Sequence, residues 1–277
     1  LSSPPLPIPC TAWGEEEKKA SLASASYCSP SSLSAWTCAA CKEADTPVSI
    51  SRGGIVVDSK HDLQAFVGCI NASRIAVVSF RGTVETSIKD WIENLDATKE
   101  TPTTVLGDHV AECVGCKAHS GFYKSWLHLR PGVLSALAAI PGGVDRYVIT
   151  GHSLGGALAQ LCALDLVLHG VATHSSLDVW TFGEPRVANA ALAKFAMGAL
   201  GAYWRHVHWK DIVPHAPLEA MGFHHTRSEI FFNEASSVHT LCDGSGEDPA
   251  CSDQFVVATS VSDHLRYLNR TMGSSSC

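Results

Sequence analysis

The pentapeptide Gly151-His152-Ser153-Leu154-Gly155 lies directly between a short β-type run, Arg146-Tyr147-Val148-Ile149-Thr150, and an apolar helical segment at 154–169. With 22 Gly in 277 residues, composition alone yields a G-x-S-x-G pattern in roughly one such chain in five, so the pattern by itself carries little. The strand–turn–helix setting carries more, because a serine needs that arrangement to project its hydroxyl from a sharp turn. Ser153 is then expected to hold a strained backbone. Gly151 and Gly155 flank it because a Cβ at either would collide with neighbouring backbone. The helix start beneath the turn favours developing negative charge. Leu154, Leu158, Leu161, Cys162, Leu164 and Leu168 make that helix apolar nearly all round, which predicts burial.

Further strand-like runs lie at 74–80, 177–182 and 203–209, with helical segments at 122–139 and 187–199. Glu15 to Glu17 open a first helix that runs to about Tyr27, carboxylates at the favourable end of its dipole. Residues 1–12 read as an extended arm, 28–47 as a loop held by cysteines, and 233–253 as a long polar surface loop. Strands alternating with helices predict an α/β fold with a mostly parallel central sheet flanked by helices. At 45% hydrophobic, residues 1–277 are enough for one large domain.

The net charge of −7 leaves no basic footprint for nucleic acid. No stretch reaches the ~18 apolar residues of a membrane span. The start, Leu-Ser-Ser-Pro-Pro-Leu-Pro, lacks the charged and apolar regions of a signal peptide, so in a secreted protein the numbering begins at or after the processing site. Eleven cysteines are rare in a cytosolic chain that holds no metal. Two close pairs, Cys38 with Cys41 and Cys113 with Cys116, are far apart in sequence and no matching histidine pair follows, so disulfides are expected rather than zinc. No motif calls for a metal or an organic cofactor. Sequons at Asn71-Ala72-Ser73 and Asn269-Arg270-Thr271 add a little weight to secretion and imply a glycoprotein.

In an α/β-hydrolase the acid and base follow the serine in that order. Asp165 falls inside the helix and Asp178 at the wrong end of a strand. Asp211, in Asp211-Ile212-Val213-Pro214, exits the run 203–209 and is the expected acid. Of the later histidines, His215 is too near Asp211 to turn back onto it, His224 and His225 precede a strand-like run, and His239 lies beside the cysteine loop. His264 follows a strand-like run at 255–259 and is the expected base. Oxyanion donors are expected at Leu154 and at Thr83, which follows the run 74–80. Ile88, Trp91, Ile92 and Leu95 then share one helical face, with Lys89, Asp90 and Glu93 off it, which suits a lid over an apolar groove.

The chain resembles the fungal class 3 lipases, with fungal feruloyl esterases as relatives, over most of residues 15–277. The resemblance rests on Phe80-Arg81-Gly82-Thr83, His119-Ser120-Gly121-Phe122, Ile149 to Ala157, Phe182-Gly183-Glu184-Pro185-Arg186-Val187 and Asp211 to Pro214. It implies catalytic Ser153, Asp211 and His264, oxyanion donors at Thr83 and Leu154, and a mobile lid over 84–94. It implies bridges Cys28–Cys277, Cys38–Cys41 and Cys113–Cys116. Cys242 and Cys251 flank the polar loop and are paired by proximity, while Cys69 and Cys162 sit in apolar elements as buried thiols. Glu184 stands where that family more often has a small residue, which implies a different local surface.

The expected function is a secreted, extracellular, monomeric lipase acting on acylglycerols at a lipid–water interface. The alternative is a feruloyl or soluble-ester carboxylesterase. Phospholipase or acyltransferase chemistry fits the same residues, and a non-catalytic binding protein would not need Ser, Asp and His in this order.

Overall fold

The structure, a computed structural model, describes residues 13–70, 73–84, 88–226, 228–255 and 257–277. The expected arm, Cys10 and the Asn71 sequon lie outside these residues, as do 85–87 of the expected lid. In chain order the strands are β1 Ser49–Asp58, β2 Leu63–Ile70, β3 Ile75–Phe80, β4 Lys99–Glu100, β5 Ala118–His119, β6 Arg146–His152, β7 Leu177–Phe182, β8 Ala202–His208, β9 Glu229–Phe232, β10 His239–Leu241, β11 Arg266–Tyr267 and β12 Arg270–Thr271. β4 pairs with β5 and β11 with β12; the rest form one sheet in the order β1-β2-β3-β6-β7-β8-β9-β10. The run β3-β6-β7-β8-β9 is parallel and both edges are antiparallel. The helices are α1 Trp13–Ala25, α2 Pro30–Ala35, α3 Ala39–Glu43, α4 Ile88–Glu93, α5 Thr103–Leu106, α6 Ser120–Ala138, α7 Leu154–Leu168, α8 Ala190–Ala199 and α9 Val261–His264. This is the α/β-hydrolase architecture.

Successive strand residues face opposite layers. Val67, Val78, Ile149 and Val179 pack with Trp126 and Leu129 of α6, Leu158 and Leu161 of α7, and Leu192 of α8. Their neighbours Phe66, Val77 and Val148 pack on the other side with Leu22 and Ala25 of α1, while Phe182 and Ile230 meet Ala20 and Ala23. Both faces are therefore covered, as parallel strands require. Residues Gly155 to Leu166 of α7 are all buried, which is why that helix is apolar nearly all round. Its one carboxylate, Asp165, is met by Arg130 Nε at 2.6 Å and Trp126 Nε1 at 2.8 Å.

Several expectations are corrected. β1 and β2 precede the first strand read from the sequence. The supposed loop 28–47 contains α2 and α3; Pro30 opens α2 where its missing N–H costs nothing, and the Ser29 hydroxyl accepts from Ser32 N. The polar loop 233–253 contributes the edge strand β10. The strand-like run 255–259 forms no strand among its described residues: β10 already holds that edge, Phe255 packs edge-on to Trp209, and Val257 is exposed.

Among the described residues four disulfides join Cys28–Cys277, Cys38–Cys41, Cys113–Cys116 and Cys242–Cys251, and Cys69 and Cys162 are buried free thiols. Among the described residues no helix is long and apolar enough to cross a membrane.

Candidate active site

The registers bring the C-terminal ends of four parallel strands together. Phe80 pairs with Gly151, His152 with Phe182, and Phe182 with His206. Ligand sites in open parallel sheets form at this edge, beyond the carboxyl ends of the strands. The loop after β3 carries Thr83, the turn after β6 carries Ser153, and the loop after β8 carries Asp211. His264 ends α9, held beside Asp211 by the parallel bridge between Asp211 and Ser260.

Ser153 has φ 60° and ψ −131°, a conformation that side chains rarely adopt. Its N–H donates to Phe182 O at 2.9 Å, and Gly156 N–H donates to its own carbonyl. A Cβ on Gly155 would lie 2.2 Å from Phe80 O, so the turn can tuck under β3 only with glycine there. Leu154 opens α7, where N–H groups have no intrahelical acceptor.

His264 Nδ1 lies 2.9 Å from Asp211 Oδ2. The same oxygen accepts from the Tyr267 hydroxyl, and Asp211 Oδ1 accepts from Val213 N–H at 2.9 Å. Tyr267 in turn accepts from His208 N–H, which orients its hydroxyl. A carboxylate only accepts, so the proton sits on His264 Nδ1 and leaves Nε2 with a free lone pair. Ser153, Asp211 and His264 are all fully buried. Ser153 Oγ and His264 Nε2 are buried with no hydrogen-bond partner among the described residues. The serine–imidazole hydrogen bond is thus unmade here; such bonds often tighten only when substrate arrives.

Sequence reasoning missed four supporting residues, Tyr27, His152, Gly183 and Tyr267. His152, fully buried, bridges the Tyr27 hydroxyl (2.7 Å, at Nδ1) and the His264 carbonyl (2.8 Å, at Nε2). The carbonyl can only accept, so Nε2 carries the proton and Tyr27 donates to Nδ1. Burial, with His264 alongside, pushes His152 well below the usual imidazole range and keeps it neutral. Burial, then the neighbouring Asp211, pushes the Tyr267 phenol well above its ordinary value, so it stays a donor. Gly183, at φ 57°, passes so near the acid–base pair that a Cβ would sit 2.8 Å from both Asp211 Oδ2 and His264 Nδ1. These contacts span up to 125 residues and leave no local pattern; only the glycine in Phe182-Gly183 hinted at one.

The other candidates are engaged elsewhere. Asp178 pairs with Arg146 at 2.7 Å. His215 bonds backbone carbonyls of Asp211 and Ser252, and His225 that of Pro214. Thr83 is half-buried, and its loop is pinned where Arg81 meets Asp62. In α4, Ile88 is buried, Trp91 stacks on Phe122 at 6.1 Å, and Ile92 is half-buried, while Lys89, Asp90 and Glu93 are exposed. Glu184 corrects the expectation of an altered surface: it is fully buried behind α7, accepting from Tyr203 at 2.6 Å and from Thr181.

A family model described as Lipase (class 3) matches residues 77–221, just over half of the chain. A lipase from Rhizomucor miehei is 32% identical over 86% of this chain and 63% of its own length. Secreted mono- and diacylglycerol lipase 1 of Fusarium solani is 33% identical over 65% of this chain and 50% of its own. The chain therefore spans half to under two thirds of these curated relatives. A solved structure, described as a triacylglycerol lipase with a serine protease triad as its catalytic centre, superposes with a TM-score of 0.82, 30% identity and coverage of 96% of this chain and 98% of its own. The sheet order, the strained serine after β6 and these matches agree, and the chain belongs to the class 3 lipase family.

Proposed function

We propose that this chain is a secreted lipase, one catalytic domain over 1–277, that hydrolyses acylglycerol esters at a lipid–water interface as a monomer. The observation that carries the reading is a strained serine and an imidazole with a free Nε2, sealed together from solvent, the imidazole's other nitrogen bonded to Asp211. His264 Nε2 takes the Ser153 proton as Oγ attacks the ester carbonyl, then returns it to the departing alcohol. Asp211 holds the imidazole in the required tautomer and stabilises the imidazolium. The N–H groups of Leu154 and Thr83 receive the oxyanion, each contributing about 3 kcal/mol to the transition state. Water then cleaves the acyl-enzyme.

Burial of the reactive pair supports a lid, and α4 with Ile88, Trp91 and Ile92 on its apolar side supplies one that lipid would draw open. The relatives named as secreted and the four disulfides support secretion. Ser153→Ala is expected to lower kcat on the order of a millionfold in a folded protein; retained turnover would remove the assignment. Rates on mono-, di- and triglycerides should jump as each passes its solubility limit. Smooth saturation below that limit, with good turnover of a feruloyl ester, would instead make the chain a soluble-ester esterase.

A further inference from the structure

The turn between β1 and β2 faces α6 with an unusual group of side chains. Asp58 ends β1, and its Oδ1 accepts the N–H groups of Lys60 and His61, which fixes the carboxylate and leaves Oδ2 facing outward. Oδ2 lies 2.8 Å from His61 Nδ1 and 3.6 Å from His128 Nδ1, the latter reaching over from α6. The two imidazole rings stack with centroids 3.8 Å apart and planes 20° from parallel. Imidazole ligates metal in its neutral form. All three donor atoms lie within 4.8 Å of one another. Tetrahedral zinc with bonds of about 2.1 Å needs donors roughly 3.4 Å apart, so closing the set takes side-chain rotations that unstack the two rings and turn their in-plane lone pairs onto one point.

We propose that Asp58, His61 and His128 bind a borderline divalent cation, with zinc the best match, water completing the coordination and the ion tying the β1–β2 turn to α6. Two imidazoles and one carboxylate suit zinc, copper or nickel and disfavour calcium and magnesium, which seek oxygen. Binding requires His61 to pass from the Nδ1–H to the Nε2–H tautomer, the Nδ1 proton lost to solvent being matched by one gained at Nε2, so that Nδ1 offers its lone pair. Two other groupings with metal-ligand chemistry are spoken for: Cys242 and Cys251 beside Glu229 are joined as a disulfide, and Glu247 beside Glu219 and His224 is bound by Arg186 at 2.7 Å. The site lies outside the catalytic machinery, although the same turn holds the Thr83 loop through Asp62 and Arg81.

Calorimetric titration of the full chain with zinc chloride, followed by thermal unfolding with and without zinc, tests this. One saturable site is expected, with a zinc-dependent rise in Tm. His61→Ala and His128→Ala should each weaken binding by at least about tenfold, and the pair together should abolish the Tm rise. Both side chains are exposed enough for the variants to fold, which their zinc-free Tm checks. His109→Ala, at a separate exposed His–Glu pair, should bind zinc as the parent does, and magnesium should shift nothing. Absence of saturable binding at millimolar zinc, or binding that survives both substitutions, overturns the proposal.

Discussion

Burial pushes the carboxyl of Glu184 up to about 7, although Thr181 and Tyr203 both donate to it. An ordinary glutamate titrates at 4.5. Between these values the folded chain keeps a proton that the unfolded chain has lost. The associated stability is therefore complete below 4.5, falls as pH rises through the window and levels off above about 7. The difference amounts to about 3 kcal/mol. Glu184→Gln should flatten the fall in unfolding free energy between pH 5 and 8 as measured by denaturant; an unchanged slope would show that Glu184 does not titrate this way. Glu16 and Asp253, also raised to about 7 chiefly by burial, contribute in the same sense, whereas the buried His152 and His206, held below the usual imidazole value of 6.5, contribute in the opposite sense below that pH, so the test reads the difference between variant and parent. At this scale the sequence pointed to Ser153, Asp211 and His264, which the fold brings to one edge of the sheet, because each sits just past a readable element or within a motif. Tyr27, His152 and Tyr267 make their contacts across the fold, and nothing in their neighbours along the chain reveals those partners; for Gly183 the only hint was the glycine itself after Phe182.

Among the elements, β3, β6, β7 and β8 were legible because each is a short run rich in β-branched and aromatic residues. β1 was not: it is half exposed, interrupted by Gly53-Gly54, and shifts register between Ile50 and Ile55. Phe255 to Thr259 carries the composition of a strand, yet composition cannot tell that a neighbour has already taken the sheet edge. α4 is where pattern and packing agree, its polar residues out and Ile88 and Trp91 in. Under the proposed lid movement, Trp91→Ala should cost several-fold more rate on emulsified glyceride than on dissolved short esters. Equal losses on both would mark Trp91 as ordinary packing on Phe122.

For the molecule as a whole, the bridge Cys28–Cys277 spans 249 residues, whereas Cys38–Cys41 spans three. In the chain-entropy view the long bridge restrains the unfolded ensemble by about 5 kcal/mol and the short one by about 2 kcal/mol. Cys277→Ala should therefore lower Tm clearly more than Cys38→Ala; a larger loss from the short bridge would point to native-state packing instead. The bridge also has a topological consequence. It closes nearly the whole chain into a covalent ring, with Ser153, Asp211, His264 and the Thr83 loop all inside the circumference. A single cut by a protease anywhere on that ring opens it without dividing it, and all of these groups stay on one molecule until a second cut is made.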